Sequence, residues 1–219
     1  TIHHGLPLGL LTPSYEARGT YLAFLGRITS EKRPDRAIAI ANALGLPLKI
    51  AAKVDKADEA YFREVIVPML DRPGVEFVGE IDDRGKSEFL GNALALLFPI
   101  DWPEPFGLVM IEAMACATPV LGFRCGSVPE IIDEHVTGRV VATVDEAIRI
   151  LPEMIRLDRR AVRRRFEERF SAHRMAKDYL NCYRALSRRP EPTLFQDNRA
   201  LPANVIALPR RNGIDHHAS

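Results

Sequence analysis

Short apolar runs alternate along this chain with longer stretches in which apolar residues recur every three or four positions. The short runs are typical of buried β-strands, and the spaced pattern is typical of amphipathic helices. Such an alternation indicates a parallel α/β sheet with helices packed on its faces. The predicted strands cover residues 21–25, 48–52, 75–78, 95–98, 119–122 and 138–142.

Helical periodicity fills the stretches between these runs. Pro34 suits the first turn of a helix and Gly45 its C-terminal cap. The run 95–98 is apolar throughout, as expected of a strand covered on both faces. We predict a single Rossmann-like, doubly wound parallel sheet of about six strands, with further helices toward the C-terminus. The predicted helices cover 34–44, 58–70, 84–92, 108–115, 128–133 and 145–155, with two more inside 158–186 that meet near 170–171.

Composition removes several classes of function. The chain has 30 Lys and Arg against 29 Asp and Glu, and a net charge of +1 gives no general attraction to nucleic acid. The longest apolar stretch, 93–100, is too short to span a bilayer. Three cysteines without a C-x-x-C pair argue against a disulfide framework, and the six histidines match no metal-binding motif. We therefore expect a cytoplasmic protein without a bound metal or cofactor.

The two ends of the chain differ from its body. The chain starts at Thr1 without signal-peptide architecture or an initiator Met, so we expect a fragment or a processed piece. From residue 188 onward, Pro and polar residues replace the periodic apolar ones. We expect residues 188–219 to form a Pro/Arg-rich tail that is mobile or loosely docked.

The most informative loop follows the fourth predicted strand. Ligands of doubly wound sheets bind at the carboxyl ends of the strands, so the loops after residues 25, 78, 98 and 122 matter most. Pro105 keeps Glu104 extended outside any helix, and Gly107 lets the backbone approach a ligand. The helix that begins at Leu108 offers unpaired N–H groups suited to a diphosphate. Glu104 and Glu112 can accept hydrogen bonds from sugar hydroxyls and from a ribose diol.

The loop after the first strand carries matching charges. Arg27 and Lys32 follow Gly26 at the same edge of the predicted sheet. Two cations beside a helix N-terminus can neutralise a diphosphate without a metal and stabilise the charge that builds on it as a glycosidic bond breaks. A third loop, 125–130, combines a flexible Gly with a helix start and an acid. We expect Trp102 in the acidic loop to brace that loop rather than to stack on a ligand.

These stretches together resemble glycosyltransferase family 4, retaining enzymes of the two-domain GT-B architecture. The signature of two glutamates separated by seven residues matches 104–120, which reads E-P-F-G-L-V-M-I-E-A-M-A-C-A-T-P-V. The family's G-R-x-x-x-E-K matches 26–32, its G-x-x-P-E matches 126–130, and its T-G turn matches 137–138. The resemblance runs from about residue 1 to 187, and residues 2–7 are similar to the connection between the two domains. Departures include Ala117 for the usual Gly, Lys53 after the second strand, and Cys125 for a Gly.

The resemblance implies a domain plan and roles for the residues. Residues 1–18 would be a linker remnant and 19–187 the donor-binding C-terminal half of a GT-B fold, without the N-terminal acceptor domain. Three residues would act in catalysis. Arg27 and Lys32 would hold the diphosphate, and Glu104 would contact the donor sugar. Glu112 would hold the ribose, and the turn 79–81 would lie along the base. The implied donor-binding residues are Gly26, Arg27, Lys32, Gly79, Glu80, Ile81, Glu104, Phe106, Gly107, Leu108, Val109 and Glu112.

The implied activity is retaining transfer of a hexose from a UDP-, GDP- or ADP-linked donor to an unidentified acceptor. The isolated domain would bind donor but transfer sugar poorly or not at all. The alternative is a non-catalytic nucleotide-binding module or subunit that needs a partner chain. A nicotinamide-dependent dehydrogenase is rejected because Gly26 stands alone where G-x-G-x-x-G is needed, and no P-loop motif is present.

A basic run occupies the last predicted helices, with its arginines interrupted by acids. We expect a solvated helix face. The alternatives are contact with the missing domain or with anionic lipid headgroups, which would place the protein peripherally at the inner membrane face. The run comprises Arg156, Arg159, Arg160, Arg163, Arg164, Arg165, Arg169 and Arg174.

Overall fold

The computed structural model describes residues 1–17 and 19–187. Within them, one sheet of six strands runs in the order β3-β2-β1-β4-β5-β6, and every neighbouring pair is parallel. This order confirms the predicted doubly wound sheet, and each predicted strand end lies within two residues of the observed one. The strands are β1 (Leu22–Arg27), β2 (Leu48–Lys53), β3 (Val75–Gly79), β4 (Ala95–Phe98), β5 (Val120–Phe123) and β6 (Gly138–Val141).

The strand order reverses between β1 and β4, which lie side by side at the centre of the sheet. Loops that leave such a pair turn to opposite sides and open a crevice at the carboxyl ends of the strands. The loop after β1 carries Lys32, and the loop after β4 carries Glu104. The topology therefore brings together two loops that are far apart in sequence.

The helices agree with the predicted pattern, with one interruption. The helix predicted over 58–70 is broken by a π-helical turn, Phe62–Ile66, that precedes Pro68. A proline has no N–H for the carbonyl one turn earlier, so the regular hydrogen-bond ladder cannot run through it. The described helices are α1 (Pro34–Leu44), α2 (Glu59–Tyr61), α3 (Val67–Leu70), α4 (Asp83–Gly91), α5 (Leu108–Ala115), α6 (Val128–Ile131), α7 (Val144–Met154), α8 (Arg159–Phe170) and α9 (Ala172–Ser187).

Two apolar cores lie on the two faces of the sheet. One core packs Leu96 and Phe98 of β4 against α5 and α8, and includes Met110 and Phe166. The other packs Leu97 of β4 against α1 and α7. All of β4 is buried, as its apolar run predicts. Burial on both faces holds the central strands firmly, so the loops at their carboxyl ends start from fixed positions.

The prediction that the basic run is a solvated face is wrong at two positions. Arg159 and Arg163 are buried. Arg159 donates hydrogen bonds to the carbonyl oxygens of Ser14 at 2.7 Å, Ala93 at 2.9 Å and Gly91 at 2.7 Å. Gly91 is the last residue of α4, and Ser14 and Ala93 lie outside helices and strands, so regular secondary structure supplies these buried carbonyls with no donor. Arg156, Arg160 and Arg164 are exposed, as predicted, and lipid contact by the run stays a prediction.

The N-terminal segment is docked against the junction of α8 and α9. Leu6 forms a parallel bridge with Ser171, and its N–H donates to the carbonyl of Phe170 at 2.8 Å. A Cβ on Gly5 would lie 2.4 Å from the carbonyl oxygen of Ser171, so only glycine allows this approach. The segment therefore has a fixed path within the described residues.

The chain divides into two compact units, Thr1–Asn181 and Cys182–Ser219. The second is described only up to residue 187, so the predicted tail 188–219 lies outside the described residues. In the described part of the chain, every helix is too short or too polar to cross a membrane.

Candidate functional site

A cleft of about 570 Å³ opens where β1 and β4 end. Its volume is within the range of small-molecule sites. Every residue predicted for the donor site in the loops after β1 and β4, and in the first turn of α5, lines it. The lining residues are His4, Leu25, Gly26, Arg27, Lys32, Phe98, Glu104, Pro105, Phe106, Gly107, Leu108 and Val109.

Lys32 and Glu104 meet in this cleft. The Lys32 Nζ forms an ion pair with Glu104 Oε2, and both side chains are largely buried. The indole N–H of Trp102 donates to the same carboxylate oxygen at 3.1 Å. Trp102 thus braces the loop through a polar contact. A cation and a fixed carboxylate lie side by side, a pairing suited to a ligand that has both an anionic group and hydroxyls.

Arg27 lines the same cleft from the end of β1. Its side chain is 56% exposed, and its Nη1 lies 3.5 Å from Asp55 Oδ2. Asp55 makes a closer contact of 3.0 Å with Lys53 Nζ, and the hydrogen bond to Asp55 raises the pKa of Lys53. The long and exposed contact to Asp55 leaves the Arg27 guanidinium able to turn toward an anionic ligand.

The turn into α5 requires glycine at Gly107. Gly107 has φ 78° and ψ 69°, the left-handed region. A Cβ there would lie 2.7 Å from the Cε of Met110 and 3.2 Å from the ring of Phe98. Leu108 and Val109, whose N–H groups at the start of α5 have no intrahelical acceptor, line the cleft.

The third predicted loop, 125–130, packs behind Glu104. The N–H of Ser127 donates to the carbonyl of Glu104 at 2.9 Å, and its hydroxyl donates to the carbonyl of Phe106 at 2.9 Å. A Cβ on Gly126 would lie 2.4 Å from both the N and the O of Glu104. This loop therefore supports the Glu104 backbone, and its residues are not among those that line the cleft.

A second cleft of about 300 Å³ shares Leu25 and Gly26 with the first. Two of the residues predicted to lie along the base, Glu80 and Ile81, line it, and Gly79 directly precedes them at the end of β3. Lys53, noted above as a departure from the family pattern, also lines it. The two adjoining clefts suit an elongated ligand that crosses the end of β1.

Two predicted site residues line neither cleft: Gly79, which adjoins the smaller cleft in sequence, and Glu112, which faces elsewhere. The Glu112 Oε1 pairs with Lys86 Nζ of α4 at 2.9 Å, and Lys86 also contacts Asp83 at 3.0 Å. Burial lowers the pKa of Lys86, but the hydrogen bonds to the two carboxylates outweigh it and leave the pKa raised. Pairing to Lys86, which the sequence did not signal, holds the Glu112 carboxylate on the α4 side of α5.

His4 lines the main cleft although it was not predicted as a site residue. Its ring lies edge-on to Phe106, with 4.9 Å between the centroids. Arg174 donates to the carbonyls of His3 and His4 at 2.7 Å and 3.1 Å and fixes the backbone there. The signal in the sequence was Gly5 next to His4, because only a glycine allows the segment to fold back onto α9.

The chain is similar to a family model and to several curated proteins. The family model described as "Glycosyl transferases group 1" matches residues 16–169. The alpha-maltose-1-phosphate synthase of Mycolicibacterium smegmatis is 30% identical over 186 residues, which cover 76% of this chain and 48% of the relative. The D-inositol 3-phosphate glycosyltransferase of Mycobacterium sp. (strain JLS) is 29% identical over 153 residues, 64% of this chain and 35% of the relative. The chain thus spans about half or less of the length of these curated relatives.

Several solved structures share the fold of this chain. A glycosyltransferase involved in avilamycin A biosynthesis superposes with a TM-score of 0.73 at 26% identity, over 85% of this chain and 58% of that one. Sucrose-phosphate synthase from Thermosynechococcus elongatus gives 0.72 at 26% identity, over 85% and 52%. An Anabaena protein solved in complex with UDP and glucose gives 0.72 at 17% identity, over 83% and 55%, a likeness of fold alone.

Proposed function

This chain belongs to the glycosyl transferases group 1 family, and from that premise we propose that it is the C-terminal, donor-binding domain of a retaining family 4 enzyme of the GT-B architecture. It binds a nucleoside-diphosphate sugar, and a second domain of the complete enzyme binds the acceptor. In this plan residues 1–18 connect the domains and 19–187 hold the donor. The observation that carries the proposal is the convergence of Arg27, Lys32 and the start of α5 on one cleft at the switch point of the sheet.

The donor lies across both clefts. The diphosphate occupies the end of β1, where Arg27, Lys32 and the α5 N–H groups supply positive charge from two sides. The base extends into the smaller cleft beside Glu80 and Ile81. Glu112 lies outside both clefts, on the α4 side of α5 with Oε1 bound to Lys86, so the ribose must extend to that side for Glu112 to accept a hydrogen bond from it.

The sugar lies beside Glu104. Its carboxylate, held by Lys32 and Trp102, accepts hydrogen bonds from sugar hydroxyls and orients the anomeric carbon. An incoming diphosphate competes with Glu104 for Lys32, so donor binding loosens this ion pair.

Transfer with retention follows front-face displacement. The bond from the anomeric carbon to the diphosphate oxygen breaks, the acceptor oxygen bonds to the same face, and the leaving phosphate takes the acceptor proton. Arg27 and Lys32 stabilise the charge that develops on the phosphate. This scheme needs neither a protein nucleophile nor a metal.

Calorimetry with UDP, GDP and ADP tests the proposal on this chain. We expect one of the three to bind, and Arg27→Ala and Lys32→Ala to weaken its binding by about tenfold each, the value of a lost charge-assisted hydrogen bond. The control is Arg149→Ala, which removes an exposed arginine of α7. A wild-type chain that binds none of the three nucleotides contradicts the proposal.

A sugar-transfer assay distinguishes the proposed enzyme from the alternative, a nucleotide-binding module without catalysis. The complete enzyme that carries this domain is expected to consume the donor that the domain binds, and Glu104→Gln to slow turnover. Donor binding without turnover in any acceptor screen would favour the module.

A further inference from the structure

The two loops that form the donor cleft leave the sheet from strands that separate early. The ladder between β1 and β4 joins Leu22 to Ala95 and Ala23 to Leu96 only, although β1 continues to Arg27 and β4 to Phe98. Beyond this short ladder, contacts outside the sheet must set the distance between the loops. That distance decides where Lys32 lies relative to Glu104.

Asp101 joins the two loops a few residues from the cleft. Its N–H donates to the carbonyl of Glu31 at 2.8 Å. Its Oδ2 accepts from Arg33 Nη1 and from Arg36 Nη2, each at 2.8 Å. Arg36 also reaches the carbonyl of Pro99 at 3.4 Å. The loop after β4 is therefore fastened to the loop after β1 and to the start of α1.

Arg33 adopts a backbone conformation that is costly for a residue with a Cβ. It has φ 53° and ψ 51°, the left-handed region that favours glycine. The conformation turns Lys32 toward the cleft and the Arg33 side chain away from it. There the guanidinium forks onto Asp35, with Nε and Nη2 at 2.9 Å and 2.8 Å, while Nη1 holds Asp101.

We propose that Arg33 and Asp101 form a clamp between the loops that positions Lys32 against Glu104 and thereby sets the affinity of the cleft for the diphosphate of the donor. Both are positioning residues, because neither lines the cleft. The pair is partly exposed, with side-chain exposures of 28% and 52%, so its contribution to overall stability is small. Its effect is on geometry, where a shift of one ångström changes ligand contacts.

The inference rests on the proposed function. Calorimetry tests it with the nucleoside diphosphate that binds best among UDP, GDP and ADP, and with the monophosphate of the same nucleoside. Asp101→Asn keeps the shape of the side chain and removes its charge. Arg33→Gly removes the clamp and also relieves the left-handed backbone. We expect each variant to weaken diphosphate binding about fivefold with little change for the monophosphate, and the double variant to be no weaker than either single one.

The matched control is Arg139→Ala. Arg139 pairs with Glu134 at 2.9 Å with similar exposure, 21% and 42%, at the amino end of the edge strand β6. It is expected to leave both affinities unchanged. Arg33→Lys is expected to restore part of the diphosphate affinity, because an ammonium can reach one carboxylate but cannot fork onto two.

The outcomes separate the clamp from the proposed function. A wild-type chain that binds no nucleotide overturns both. Binding by wild type that Asp101→Asn leaves unchanged, or that falls equally for diphosphate and monophosphate, overturns the clamp alone. If the Arg33→Gly variant does not fold, the diphosphate and monophosphate affinities of Asp101→Asn alone test the clamp.

Discussion

At the scale of single residues, Glu104 has two neighbours that compete with a donor. Its carboxylate pairs with Lys32 and accepts from Trp102. The negative charge repels a diphosphate, yet in the function proposed above the same oxygens hold sugar hydroxyls. Affinity for the bare nucleotide and affinity for the sugar nucleotide therefore depend on this residue in opposite directions.

Glu104→Gln is expected to separate the two effects. Removing the charge frees Lys32 and strengthens binding of the nucleoside diphosphate about three- to fivefold, the value of one partly screened charge. The sugar nucleotide should lose the advantage of its hydroxyl contacts. Calorimetry with both ligands measures the ratio, and Glu31→Gln, an exposed acid on the β1 loop, is the control. Weaker binding of the bare diphosphate would contradict this assignment.

Gly126 is a residue whose size alone matters. It has φ 55°, and an added Cβ would lie 2.4 Å from the backbone of Glu104. Gly45 has a similar φ of 64° with nothing within 4 Å of an added Cβ. Gly45→Ala thus measures left-handed strain alone, about 1 kcal/mol. Gly126→Ala should lower the free energy of unfolding by about 2–3 kcal/mol more in chemical denaturation and weaken donor binding. If both variants lost the same free energy of unfolding, the Glu104 loop would be able to move aside for the added Cβ without a loss of stability.

At the scale of elements, Asp35 joins the first turn of α1 to the helical segment before the π turn. It accepts from Arg33 at 2.8 Å and from the Tyr61 hydroxyl at 2.9 Å. Burial raises the pKa of Asp35, but these hydrogen bonds and the Arg33 charge outweigh it and leave the pKa below its ordinary value of 3.8. Its contribution to stability is therefore complete above that value and is lost as the pH falls through the lowered, folded-state value.

Asp35→Asn is expected to be less stable than wild type at neutral pH by about 1 kcal/mol. The gap should stay constant from pH 7 to pH 5 and narrow as the pH falls below 3.8, because the carboxyl group of the unfolded chain then takes up a proton before that of the folded chain does. Thermal unfolding of both proteins across this range measures the gap. A gap that persists unchanged into acid would show that shape, not charge, holds this contact.

Helix α8 provides a contrast between a buried and an exposed arginine. Arg159 supplies donors to three backbone carbonyls, and burial lowers its pKa to about 10. Arg159→Leu should reduce the free energy of unfolding by about 3 kcal/mol or more, because those carbonyls lose their donors. Arg164→Leu, on the exposed face of the same helix, should change it by less than about 0.5 kcal/mol in the same urea titration. Similar small losses for both would mean that water replaces the guanidinium.

The elements were predictable because their signals are local. The ends of α1 follow from Pro34 and Gly45, and β4 follows from an apolar run that only a doubly covered strand tolerates. The π turn before Pro68 and the burial of Arg159 were missed. The Arg159 guanidinium is held by carbonyls 66 to 145 residues away in sequence, and the periodicity of one helix gives no information about such distant partners.

On the scale of the whole molecule, the sheet order explains which site residues could be predicted. The loops after β1 and β4 border the same crevice, so the topology together with the loop motifs was enough to predict that Lys32 and Glu104 lie near each other. His4 enters the cleft through a terminal segment docked on α9, and Glu112 turns to Lys86 on α4. Both depend on side-chain partners that no motif contains.

The last prediction concerns how the whole chain responds to donor. A ligand that binds only the folded state at one hundred times its Kd adds about 2.7 kcal/mol, and each kcal/mol raises Tm by about 2–4 °C in a protein of this size. The bound nucleotide among UDP, GDP and ADP should therefore raise Tm by roughly 5–10 °C. If Arg27 and Lys32, which line the cleft, supply the positive charge as proposed, the shift should be the same in EDTA and in Mg²⁺. Lys32→Ala should lose most of the shift in both buffers. If Mg²⁺ were required for the wild-type shift, or restored it fully in Lys32→Ala, the diphosphate would be bound through a cation and not through these side chains.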